Sequence, residues 1–194
     1  MSDQLTKSIE QKTIPYSKAG SKLRRSIPNA ITLLRLVALP HLIWSFNHEI
    51  TFAVYALFLF SIGSDLADGY ISRKIGANSK FGANLDAAVD FLFINGMYLT
   101  FILKGIYSAG ILFLIIFMFA QFTLTNLHFK KTVYDPIGKY YGSLLFGGIG
   151  LTLLFPAQIM YNIVTMGIIV STVAAILSRL AHFLRVVVTD RDRQ

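Results

Sequence analysis

The chain has no cysteine. Disulfides, cysteine-zinc sites and thiol nucleophiles are therefore excluded. Charge is scarce as well: 14% of the 194 residues are Asp, Glu, Lys or Arg, where a soluble domain carries about 25%. Hydrophobic residues reach 54%, with 16 Phe, and mean hydropathy is positive at +0.58. That is the balance of a chain whose solvent is mostly lipid. His41, His48 and His128 stand isolated, without metal-ligand spacing. No cleavable signal peptide is expected, because the first apolar run begins only near Ile27, behind a polar and basic stretch of 26 residues. The net charge of +8 invites a nucleic-acid partner. The basic residues lie between apolar runs, however, so no nucleic acid is expected. They are better read as topology signals and as contacts to anionic lipid or phosphate.

A spanning helix needs about 20 mostly apolar residues. Six segments fit, at 29–46, 50–72, 83–103, 106–127, 139–155 and 160–186. Short breaks part them, at Asn47-His48-Glu49, Lys104-Gly105 and Pro156-Ala157-Gln158. Basic residues set the orientation. Fifteen Lys and Arg fall in the N-terminal segment, the loops after helices 2 and 4, and the C-terminal tail, while the opposite loops hold Lys104 alone. The expected fold is an all-α integral membrane protein with six transmembrane helices and both termini cytoplasmic. Residues 1–26 form a basic segment ending in an interfacial helix, 27–188 the transmembrane catalytic domain, and 189–194 a cytoplasmic tail.

Only ten acidic residues occur, and four crowd one stretch: Asp65, Asp68, Asp86 and Asp90. The first two are three apart near the cytoplasmic end of helix 2, and the last two are four apart near the cytoplasmic start of helix 3. Each pair shares one helical face. Adjacent antiparallel helices joined by a short loop normally pack together, which would set the pairs face to face at one depth. Carboxylates in a membrane helix are expensive and mark functional sites. A single Asp at a helix end can simply face water, but four so placed would repel unless a cation sat among them. All-oxygen ligation points to a hard ion, Mg²⁺ or Mn²⁺, in one or two copies.

These residues resemble the CDP-alcohol phosphotransferases, whose pattern is D-x-x-D-G-x-x-A-R, eight residues, then G-x-x-x-D-x-x-x-D. Here it reads Asp65, Asp68, Gly69, Ser72, Arg73, Gly82, Asp86 and Asp90, with Ser72 in place of Ala. Pro28-Asn29, Thr32 and Arg35 look like the family's opening segment. The resemblance implies that Asp65, Asp68 and Asp86 bind metal gripping the donor diphosphate, with Asp90 at the same centre as the base that deprotonates the acceptor hydroxyl. It places Asn29, Thr32, Asp68, Gly69, Ser72, Arg73 and Gly82 around the donor nucleotide. Two ions, Mg²⁺ or Mn²⁺, are implied. The expected reaction transfers a phosphatidyl group from CDP-diacylglycerol to a small polar alcohol, with release of CMP. Family members that use glycerol phosphate usually follow the third Asp with Pro and the fourth with Lys; here Ala87 and Phe91 stand there.

Arg179, His182 and Arg185 recur every three residues toward the cytoplasmic end of helix 6. With Lys139 they could hold a phosphate on the acceptor, which favours glycerol phosphate or inositol phosphate. Snorkelling to headgroups is the plainer reading of Arg185. Gly138, Gly142, Gly147, Gly148 and Gly150 suit close helix contact, within one subunit or in a homodimer. A plasma or inner membrane is expected, with the active site cytoplasmic. The competing readings are a transferase with a soluble CDP-alcohol donor and diacylglycerol acceptor, a divalent-cation transporter and an intramembrane prenyltransferase.

Overall fold

A computed structural model describes residues 18–75, 80–128 and 136–191, and the side-chain surroundings of most of 30–67, 82–123 and 140–180. Among the described residues six helices follow one another: α1 (Lys18–Asn47), α2 (Thr51–Ile75), α3 (Lys80–Leu103), α4 (Ala109–His128), α5 (Pro136–Leu154) and α6 (Gln158–Arg191). They coincide with the six apolar segments. Among the described residues, three are long and apolar enough to cross a membrane, through Ala30–Asn47, Asn84–Leu103 and Gln158–Ser178. The other three carry shorter apolar stretches, Thr51–Ala67, Ala109–Gln121 and Tyr140–Leu154. Helix α1 runs unbroken from Lys18, so residues 18–26 are its first turns. Residues 1–17 and the tail from 192 lie outside the described residues.

Helix α3 is the hub, lying against α1, α4 and α5; α1 also packs on α2, and α6 closes the bundle against α5 and α4. Its inner face is spaced for this role: Val89, Phe93, Met97, Tyr98 and Phe101 are all buried, following the three-and-four rhythm of a helix. Leu42 of α1, Phe58 of α2, Ile115 of α4, Ile149 of α5 and Ile168 of α6 complete the core. Large apolar side chains also cover the outside, including Phe52, Leu103, Phe113 and Ile159. A bundle apolar both within and without is suited to lipid.

The turns after α3 and α1 end their helices in one way. After α3, Gly105 takes φ 73°; its N–H donates to Ile102 and the next N–H, of Ile106, to Phe101. This is the paired bonding of a glycine-terminated helix. After α1 the same pattern recurs, with Glu49 N–H on Phe46 and Ile50 N–H on Ser45, but Glu49 holds the left-handed position at φ 58°.

Several polar groups within the apolar helices find partners close by. Ser61, Ser64 and Thr100 donate to carbonyls three or four residues back. Tyr98 reaches across to the Leu145 carbonyl at 3.2 Å. Thr152 donates to the Gly148 carbonyl, so the Tyr107 hydroxyl donates to Thr152, at 2.5 Å. The glycines of α5 divide by face. A side chain on Gly148 or Gly150 would meet Tyr98 or Phe58, whereas Gly142 and Gly147 face open space. Gly138 lies outside the described side chains.

Helix α1 lies against both α2 and α3, to which it presents one continuous buried face, Thr32, Arg35, Ala38, Leu39, Leu42 and Ser45.

Candidate metal and phosphate site

The carboxylates converge, but over α1. Asp65 stands on α2, and Asp86 and Asp90 stand one turn apart on α3. One oxygen from each lies within 4.8 Å of the others. At an effective dielectric of about 20, charges at that spacing repel by about 3 kcal/mol per pair before solvent screening. The structure answers part of this with Arg35. Its Nη2 donates to Asp65 Oδ1 at 2.8 Å; its Nη1 donates to Asp90 Oδ1 and lies 3.6 Å from Asp86 Oδ1.

The cluster has an inner and an outer side. Arg35 is 0% exposed, while the side chains of Asp65, Asp86 and Asp90 are 50%, 40% and 35% exposed. Arg35 thus backs the carboxylates from within, and their open side is accessible. Thr32 lies one turn before Arg35 and is buried. Phe91, next to Asp90, stacks on Phe119 of α4 with ring centroids 4.0 Å apart, fixing that end of α3.

The donor set fits a hard divalent cation. Oxygen ligands bonded at about 2.0–2.6 Å lie up to roughly 4–5 Å from one another around one ion, which matches the observed spacing. The charge fits too. Among the described side chains, three carboxylates and one guanidinium leave a formal −2, which one divalent ion offsets.

Of the residues expected at the site, Asp65, Asp86, Asp90 and Thr32 lie on the three helices that meet there, and Gly82 lies two turns before Asp90 on α3. Asp68, Gly69, Ser72 and Arg73 fall in α2, Asn29 in α1, Lys139 in α5, and Arg179 and Arg185 in α6. Their side chains are outside the described residues. The residue that sequence reasoning left without a role is Arg35. A signal existed: it is the sole charge between Ala30 and Asn47, and a cation inside an apolar helix needs carboxylate partners.

A CDP-diacylglycerol–glycerol-3-phosphate 3-phosphatidyltransferase of Aquifex aeolicus is 26% identical over 131 residues, 66% of this chain and 74% of that protein. A putative cardiolipin synthase of Mycobacterium tuberculosis is 36% identical over 42% of this chain and 39% of its own length. A chloroplastic CDP-diacylglycerol–glycerol-3-phosphate 3-phosphatidyltransferase 1 of Oryza sativa is 28% identical over 47% of this chain, covering 28% of the rice protein. The matches to the mycobacterial and rice proteins thus span well under half of those relatives. No solved structure matches. The acidic cluster is in keeping with a family known for divalent-metal use. The sequence pattern of CDP-alcohol phosphatidyltransferase matches residues 25–191, from the first turns of α1 to the last residue of α6, and the chain belongs to that family.

Proposed function

We propose that this chain is an integral membrane enzyme that transfers a phosphatidyl group from CDP-diacylglycerol to glycerol 3-phosphate and releases CMP. The observation that carries it is the meeting of Asp65, Asp86 and Asp90 from two helices at one partly open point, in a member of this family. The acceptor is chosen on the names of the relatives, several of which are glycerol-3-phosphate phosphatidyltransferases. The mycobacterial relatives favour a second acceptor, phosphatidylglycerol, since a cardiolipin synthase joins a phosphatidyl group to it.

In this reading Asp65, Asp68, Asp86 and Asp90 hold one or two Mg²⁺ or Mn²⁺ ions, which when bound offset charge on the donor diphosphate and the departing phosphate. Asp90 accepts the proton of the acceptor hydroxyl. The acceptor oxygen bonds to the phosphorus that carries diacylglycerol, and the bond from that phosphorus to the CMP oxygen breaks. Asn29, Thr32, Gly69, Ser72, Arg73 and Gly82 surround the nucleotide, the glycines letting it approach the backbone. Arg179, Arg185 and Lys139 receive the acceptor phosphate. All six helices span the membrane with both termini and the carboxylates on the cytoplasmic side, as the basic residues argue.

The test incubates purified protein with CDP-diacylglycerol, Mg²⁺ or Mn²⁺, and glycerol 3-phosphate, phosphatidylglycerol, inositol phosphate or serine in turn, measuring CMP. Release is expected with glycerol 3-phosphate, lost in EDTA and restored by metal. Full activity in excess EDTA would sink the metal reading. CMP release only from a soluble CDP-alcohol with diacylglycerol would reverse donor and acceptor.

A further inference from the structure

The Arg35 side chain is a cationic guanidinium, yet it is 0% exposed. Its two terminal nitrogens are shared among Asp65, Asp86 and Asp90, residues 30 to 55 positions away along the chain. It rises from α1, the helix that lies against both Asp-bearing helices. A buried cation so placed does more than fill space.

We propose that Arg35 is the resident counter-cation of the site: it holds the three carboxylates together when no divalent ion is bound, and its charge weakens the grip of the ion that does bind. The inference rests on the metal reading of the cluster. It follows from the layered exposure. The carboxylates are partly exposed while Arg35 is not, so an ion can reach them while Arg35 remains buried. Because Arg35 bonds directly to carboxylates that would ligate the ion, the two positive charges sit only a few ångströms apart through shared partners. Like charges at that range oppose each other strongly where solvent is sparse. Without Arg35 the local formal charge would fall from −2 to −3. The empty cluster would be less stable, and a divalent ion more tightly held. A role as a purely structural tie, or as an arm that only orients the carboxylates, predicts otherwise.

The experiment compares the unsubstituted protein with Arg35→Gln and Arg35→Lys in detergent. Mn²⁺ affinity is read by calorimetric titration, and thermal unfolding is followed in EDTA and in saturating Mn²⁺. Arg35→Gln is expected to unfold at lower temperature in EDTA, to gain more from Mn²⁺ than the unsubstituted protein, and to bind Mn²⁺ about tenfold more tightly or better, the two gains being linked. Arg35→Lys keeps the charge and is expected to stay close to the unsubstituted affinity. If Arg35→Gln fails to fold in EDTA, preparing it throughout in Mn²⁺ should recover it; failure there would overturn the proposal. Equal destabilisation with and without Mn²⁺ at unchanged affinity would overturn it in favour of a structural tie. Weaker Mn²⁺ binding would overturn it in favour of an orienting arm. If the unsubstituted protein itself binds no Mn²⁺, the metal reading falls, and this proposal with it.

Discussion

Replacing Gly148 with alanine would put a methyl carbon 2.5 Å from Tyr98 Oη and 3.0 Å from Val164 Cγ1. Carbon and oxygen do not approach that closely, since even weak C–H···O contacts hold about 3.3 Å or more. Something must move, and Tyr98 has little freedom. It is 0% exposed, its ring lies edge-on to Phe101 at 6.0 Å and 5.7 Å from Tyr107, and its hydroxyl donates to Leu145. Overpacking of this kind costs about 1–3 kcal/mol. Losing the buried hydroxyl's partner adds about 1–3 kcal/mol, and the better helix propensity of alanine returns about 1 kcal/mol. A net destabilisation of about 1–5 kcal/mol is expected. Gly147→Ala is the internal control: its methyl would meet nothing within 4 Å, so it should be neutral or stabilising by up to about 1 kcal/mol. Unfolding of both variants in detergent, by heat or by denaturant, measures the difference. Tyr98→Phe should recover part of the Gly148→Ala loss, because it removes the atom in conflict. Equal stability of Gly147→Ala and Gly148→Ala would refute the reasoning, because α3 and α5 would then not meet at Gly148.

Asp90→Asn keeps an oxygen for metal but loses the proton acceptor, so turnover should fall by about 10² to 10⁴ while CDP-diacylglycerol binding survives. Asp68→Asn should weaken metal and donor binding together; near-normal turnover of Asp90→Asn would move the base elsewhere. In this cysteine-free chain, Asn78→Cys should react with an impermeant thiol reagent only from the cytoplasmic side, and Gln158→Cys only from the other. The opposite labelling would overturn the orientation. Glu49→Gly should stabilise by up to about 1 kcal/mol and Gly105→Ala should destabilise by about 1–2 kcal/mol, since both positions require positive φ. Unfolding midpoints of the two variants moving in the same direction would contradict that.

Hydropathy and spacing alone located all six helices, and the turns at Asn47-His48-Glu49 and Lys104-Gly105 separate helices where they were expected to. These are local properties. An apolar run long enough to be helical, and a break that cannot continue it, are written within some 20 residues, about the length of one membrane span. The meeting of Asp65, Asp86 and Asp90 was legible for the same reason: a spacing of four puts Asp86 and Asp90 on one face, and the cost of a carboxylate in an apolar helix marks all three. Which non-consecutive helices lie together was not legible. Chain neighbours pack in α1–α2, α3–α4 and α5–α6, but α1 also lies against α3, and α3 against α5. The choice depends on how the buried faces of three helices fit together. Only tertiary structure brought Arg35 to carboxylates 30 and 55 residues away, and only it separated Gly148 and Gly150, which meet side chains, from Gly142 and Gly147, which do not. The sequence by itself determined what each helix is and which groups needed a charged partner. The three-dimensional fit of the helices decided which partner it was, because a buried charge is satisfied by what lies near it in space, however far away along the chain.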